Sequence, residues 1–212
     1  MEKMWTWIII IKWNNKGQVP FVPFFKIHNK TLNIVHLILV NKIYSLNKNY
    51  VPNDLVLIDK KYSTKDIYIC KRVNDKFIKM CNDALKNNLI IKAMSGYRSY
   101  EYQYNLYNDY LKIDKQEIVD TYSARPGHSE HQTGLAIDLC TDKNDYIEFI
   151  NTDEYNWVKD NCYKYGFIIR YPKGKENITG YKFEPWHIRY VGKYASKIKD
   201  ITLEEYKKNS YK

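Results

Sequence analysis

Ser129-Glu130-His131-Gln132-Thr133-Gly134-Leu135-Ala136-Ile137-Asp138 passes from polar residues through a glycine into an apolar run that holds a carboxylate. His131 and Asp138 are seven residues apart. On a continuous helix that spacing is two turns and separates the side chains by about 10 Å of rise. Ligands of one metal ion lie roughly 2 Å from it, so a helix cannot deliver both. Gly134 permits a bend, and the apolar residues after it read as a strand, so a turn leading into a strand can bring imidazole and carboxylate together. A carboxylate inside Leu135-Ala136-Ile137-Asp138-Leu139 also needs a cation or several donors to offset its desolvation. The stretch predicts a β element carrying half of a metal site.

Glu184-Pro185-Trp186-His187 supplies the other half. In a regular strand residues 184 and 187 point to opposite faces, but Pro185 favours an irregular start that swings Glu184 inward. Two imidazoles, one carboxylate ligand and one spare carboxylate form the donor set of a catalytic zinc site, with a position left for water and a base beside it. His131, Asp138 and His187 are the expected ligands. Glu184 is the expected general base, taking a proton from the attacking water and passing it to the leaving amine. His128 lies three residues before His131, but the ion already has three ligands, so a supporting role is expected there. His28 and His36 have no partners at ligand spacing.

The remaining pattern places this pair of motifs in one domain. A length of 212 residues suits a sizeable domain plus a small extra segment. Met4 to Ile11 is an apolar run between Lys3 and Lys12, too short to span a bilayer and followed by no Ala-x-Ala-like cleavage site. Residues 1–36 are therefore expected to be an N-terminal extension, a leader or anchor remnant, and residues 37–212 the catalytic domain. Strands are predicted over 37–40, 90–94, 135–140, 167–171 and 186–191, and an extended connection over 51–58. Helices are predicted over 75–88, 97–112, 154–165 (closed by Gly166), 193–199 and 203–208. No βαβ rhythm is present, which points to an α+β fold with a small central antiparallel sheet flanked by helices.

Composition narrows the partners. Thirty-four Lys and Arg against 24 Asp and Glu give a net charge of +10, which draws the chain toward polyanions. The basic residues are scattered, and no helix-turn-helix, RNP-like or zinc-finger spacing accompanies them, so nucleic acid is not an expected partner. Anionic cell-wall polymers or a membrane surface are. The cysteines at 70, 81, 140 and 162 contain no Cys-x-x-Cys pair and read as free thiols or up to two disulfides. Cys140 would share the face of Asp138 on a strand, and reads as a small buried apolar residue.

Over about residues 38–208 the chain resembles the D-alanyl-D-alanine carboxypeptidases of the VanY type. That zinc peptidase group also holds VanX dipeptidases, LD-carboxypeptidases and some phage endolysins. The blocks carrying the resemblance are Ser95-Gly96-Tyr97-Arg98-Ser99, the run from Ala124 to Gly134, Tyr165-Gly166-Phe167, Arg170-Tyr171-Pro172 and the run from Glu184 to Gly192. The resemblance implies a hedgehog/DD-peptidase-like fold with one Zn2+ held on the sheet by His131, Asp138 and His187. It implies Glu184 as base and Arg98 as the group that polarises the scissile carbonyl and steadies the oxyanion. Gln103, Ser129 and Tyr171 resemble substrate-binding residues. The implied reaction is removal of the terminal D-Ala from peptidoglycan stem peptides, by a monomer in the bacterial cell envelope or outside the cell, with membrane association and a cytoplasmic location left open. Alternatives on the same scaffold are an LD-carboxypeptidase or a phage-type endopeptidase. A zinc-containing wall-binding module is the non-enzymatic alternative, and it would need neither Glu184 nor Arg98.

Overall fold

The protein was analysed as a computed structural model, which describes residues 35–143 and 148–210. Of the expected extension over residues 1–36, residues 1–34, with the Met4 to Ile11 run and His28, lie outside the described residues. Short strands β1 (Leu55–Leu57) and β2 (Tyr68–Cys70) form an antiparallel pair. The main sheet comprises β3 (Lys92–Ser95), β4 (Ala136–Cys140), β5 (Phe167–Tyr171) and β6 (Glu184–Tyr190) in the order β3-β4-β6-β5, every neighbouring pair antiparallel. The α+β architecture with a small antiparallel sheet is borne out.

Alternation along the central strands separates two faces. Ile137 and Leu139 of β4, with Ile188 and Tyr190 of β6, point into the main hydrophobic core. The intervening residues Asp138, His187 and Arg189 point the other way, as the two-residue period of a strand requires. Helix α1 (Lys71–Leu85) covers the core face with Val73, Phe77, Met80, Cys81 and Ala84, the three-and-four spacing of an amphipathic helix. Helices α2 (Tyr100–Leu111) and α3 (Gln116–Tyr122) follow β3, and α4 (Asp153–Asn161) precedes a 3-10 turn ending at Gly166. After β5 come the single turn α5 (Glu176–Thr179), then β6, and finally α6 (Ala195–Ile198) and α7 (Leu203–Asn209). A second apolar cluster of Leu37, Ile168, Val191, Ala195, Ile198 and Leu203 holds the last helices to the sheet.

Residues 37–40 are not a strand. Leu37, Ile38 and Val40 are buried, but the Ile38 carbonyl accepts from the Arg189 guanidinium at 2.8 Å, so a side chain does what a neighbouring strand would have done. His36, just before the predicted boundary, is set edge-on against Tyr190 at 5.0 Å between ring centroids. All four cysteines are buried free thiols.

Candidate metal centre

The turn and strand predicted from Gly134 are present. Glu130–Thr133 form one 3-10 turn, Gly134 closes it at φ 67°, and β4 follows. A Cβ at Gly134 would lie 2.9 Å from the Cys70 sulfur, so the bend needs glycine for its torsion and for its space. Asp138 sits directly opposite His187 in the register of β4 and β6. His131, Asp138 and His187 each present one donor atom, and these lie within 4.8 Å of one another.

The hydrogen bonds fix which ring nitrogen faces inward. His131 Nδ1 lies 2.6 Å from the Gly96 carbonyl oxygen, which can only accept, so Nδ1 carries the proton and Nε2 offers its lone pair. That Nε2 is 3.2 Å from Asp138 Oδ2, and the His187 Nδ1 is 3.1 Å from Asp138 Oδ1. Donors on a tetrahedral zinc with ordinary bond lengths stand roughly 3.4 Å apart, so each imidazole lies at a suitable distance from one oxygen of the Asp138 carboxylate. His131 Nε2 and Asp138 Oδ1 are buried without hydrogen-bond partners, as expected of atoms meant for a cation. The donor set, two imidazoles and a carboxylate, suits zinc.

Burial, and then Arg98, push the His131 pKa down to about 4, which keeps the ring neutral and able to ligate. Burial alone would raise Asp138, but His131 and His187 hold its carboxyl well below the usual range. His187 runs opposite to its own desolvation: the Asp138 and Glu130 carboxylates facing its two nitrogens raise it to about 9.

Glu184 reaches the same face through an irregularity. Ile169 of β5 pairs with Ile188, whereas Tyr171 pairs with Glu184, so β6 spends two more residues than β5 over that interval. The break in alternation brings Glu184 Oε2 to 3.4 Å from His187 Nδ1. Burial raises its pKa to about 7, with His187 pulling the other way. Arg98 places Nη2 3.5 Å from Asp138 Oδ2, and its Nε is buried without a partner.

The other predicted site residues take different places. Gln103 is 1% exposed; its Oε1 accepts from Arg98 at 3.2 Å and its Nε2 donates to the Ala124 carbonyl at 2.8 Å. It stands behind the guanidinium, not in open space where a substrate would meet it. The Ser129 hydroxyl caps the 130–133 turn by accepting from the His131 amide. The Tyr171 ring lies 4.9 Å from His187 and 4.9 Å from Tyr181. His128 points away and bonds the Asn41 carbonyl at 2.7 Å. Cys140 is turned to the Lys92 carbonyl, in keeping with a packing role.

Three charged residues behind the centre were not singled out by the sequence reading. Glu130 is fully buried, and its Oε1 accepts from Arg170 Nε at 2.7 Å and from Arg189 Nη1 at 2.6 Å. Its Oε2 faces His187 Nε2 at 3.7 Å. Burial would raise the Glu130 carboxyl, but the two arginines hold it well below the ordinary range. It is thus an anion at the far side of the imidazole, favouring the proton on Nε2 and leaving Nδ1 for the metal side.

A buried His-Asp-His cluster on a sheet, with a raised carboxyl and a guanidinium beside it, defines a single-metal hydrolase of the peptidase type. A family profile described as VanY, D-alanyl-D-alanine carboxypeptidase, matches residues 66–193. The chain belongs to this family. It is 46% identical over 180 residues to the putative carboxypeptidase YodJ of Bacillus subtilis, covering 80% of this chain and 66% of that protein. It is 37% identical over 185 residues to a D-alanyl-D-alanine carboxypeptidase of Enterococcus faecium, covering 81% and 57%. The chain thus spans somewhat less than two thirds of the length of these two relatives. Among solved structures, the LdcB LD-carboxypeptidase matches with a TM-score of 0.75 and 45% identity, over 80% of this chain and 84% of that one. VanYB in complex with D-alanine-D-alanine matches with a TM-score of 0.66 and 33% identity, over 84% and 99%. A VanY variant from the VanB-type cassette, solved with Zn(II), matches with a TM-score of 0.64 and 33% identity, over 81% and 98%.

The donor assignment has a direct test. Asp138→Ala is expected to lower bound zinc from about one ion per chain to almost none after dialysis, read by elemental analysis. Stoichiometric zinc in that variant would remove Asp138 from the donor set.

Proposed function

We propose that this protein is a zinc-dependent D,D-carboxypeptidase that removes the terminal D-alanine from peptidoglycan stem peptides. The observation that carries the reading is Glu184, an elevated carboxyl 3.4 Å from the ligating edge of His187. When bound, zinc supplies Lewis acidity that polarises the scissile carbonyl and acidifies water. Glu184 takes the proton of the attacking water and returns it to the departing D-alanine amine. Arg98, steadied by Gln103, offers N–H donors where negative charge develops on the carbonyl oxygen. Ser129 and Tyr171 border the metal residues and are the nearest predicted candidates for contact with substrate. The family and the carboxypeptidase relatives support this reading, as does the neighbour solved with D-alanine-D-alanine.

A second reading is favoured by one observation. The LdcB neighbour at 45% identity is named an LD-carboxypeptidase. Pure protein offered pentapeptide and tetrapeptide stems separates the two. D-Ala release from the pentapeptide alone supports D,D specificity, release from the tetrapeptide alone supports L,D specificity, and release from neither overturns both. Solubilisation of purified sacculi would indicate an endopeptidase.

The base must be ionised to act, so kcat/KM should fall as pH drops through the pKa of Glu184. That value is raised from 4.5 to about 7 by burial, and a bound cation pulls it back down. The acid limb is therefore expected between those two values. A flat profile across that range would remove Glu184 as the base.

The net charge of +10 supports work at the cell envelope, beside anionic wall polymers. Among the described residues no helix is long and apolar enough to cross a membrane. Wall association should weaken as salt rises, since exposed charges are screened.

A further inference from the structure

A concavity of about 340 Å3 opens where the start of α1 meets the turn before β5 and the turn after β6. None of the metal-site residues lines it. Arg72 and Lys76 come from α1, Lys164 from the turn before β5, and Lys193 from the turn after β6. No Asp or Glu is among the lining residues. Arg72 meets His36 Nε2 at 3.3 Å, Lys164 meets the Asn161 side chain, and among the described residues none of the four cations pairs with a carboxylate. Among the described residues the carboxylate bonded to a lining side chain is Asp83, which accepts from Tyr165 and is already paired with Lys86 at 2.6 Å. Burial, then Arg72, then Arg189 push the His36 pKa down to about 4, with Asp54 pulling the other way.

A cluster of free cations around a concavity calls for an anion. The tyrosines decide which kind. Tyr165 lies against Trp157 at 6.1 Å, Tyr190 is met by His36 and Phe167, and the Tyr163 ring carries the Lys199 ammonium at 4.9 Å and Lys164 at 5.9 Å. These rings are engaged by the protein itself, so the stacking platform that single-stranded nucleic acid needs is missing. What remains is a cationic concavity walled by phenols and ammonium stems, with room for a phosphate and the small hydroxylated units beside it.

We propose that this concavity binds a polyol phosphodiester, the repeating unit of an anionic wall polymer. The proposal rests on the reading of the protein as a cell-wall enzyme, but polymer binding and D-Ala release are separate measurements and can fail separately. The full chain is titrated into labelled glycerol-phosphate oligomers and followed by fluorescence anisotropy at low salt. Parallel arms use phosphatidylglycerol vesicles and single-stranded DNA of matched charge. The Arg72→Ala/Lys76→Ala variant should lose about tenfold in oligomer affinity. Lys60→Ala/Lys61→Ala, an equal loss of charge elsewhere, should lose far less, and both should release D-Ala from a soluble peptide as the wild type does. Pocket-dependent binding of vesicles without binding of free oligomers would uphold the ligand chemistry and assign it to a lipid headgroup. Equal losses in the two double variants, or DNA bound as tightly as the oligomer, would overturn the proposal.

Discussion

Glu184→Ala is expected to lower D-Ala release by roughly 100- to 10,000-fold, the range contributed by a positioned proton-transfer group, while zinc content stays at the wild-type level. Stopped assays of D-Ala and elemental analysis of the same preparation give the two numbers. The combination matters because Glu184 is 3.4 Å from His187 Nδ1 and is not one of the three donors clustered for the metal. If zinc is lost along with activity, Glu184 is a ligand and the proton-transfer role falls. If activity survives with zinc bound, another group handles the proton. Glu184→Gln keeps the shape and removes the base, so it should behave like the alanine variant.

The other large effect is expected at Glu130. Replacement by alanine leaves the Arg189 guanidinium, 0% exposed, without its carboxylate partner, while Arg170 keeps Glu204. An unpaired buried charge of this kind costs about 3–5 kcal/mol, to be read by urea denaturation of the metal-free protein. Glu130→Gln preserves most of the packing but weakens the anion behind His187. Supporting groups of this kind typically change metal affinity about 10- to 100-fold, which competition with a chelator would measure. A Glu130→Ala variant as stable as wild type would show that solvent or other groups neutralise Arg189. Stability loss with unchanged zinc affinity in both variants would confine Glu130 to a structural role.

Much of the site was legible because each predicted residue broke a local pattern. Asp138 is a carboxylate within an apolar strand, Gly134 is a bend where a helix would fail, and Glu184 precedes a proline. The same logic, applied to Ile168-Ile169-Arg170-Tyr171 and His187-Ile188-Arg189-Tyr190, would have found the arginine pair. An arginine flanked by strand residues that bury asks for a buried acid, and Glu130 answers from the metal-binding turn itself. The sheet was legible through period-two burial on β4 and β6. Helix α3 was not, because Val119 is its one buried residue and a helix with so narrow a buried face leaves little period to read. Residues 37–40 carry a strand-like apolar run, and their burial is real; only the tertiary position of Arg189 decides that a loop buries them. The start of α1 at Lys71 was also hidden, since no side chain caps it.

The Arg170 guanidinium that braces Glu130 is itself held by Glu204 of α7 at 2.7 and 2.9 Å, and Glu204 in turn accepts from Asn41, 163 positions away along the chain. The two ends of the domain thus meet underneath the metal residues. Glu204 follows His187 by 17 positions, so the brace comes from chain beyond the last ligand. A nascent chain stalled before α7 holds every ligand and lacks the brace. Tight zinc capture is therefore expected to wait for α7 to dock, so a chain cut before Leu203 should bind zinc more weakly although all three ligands remain.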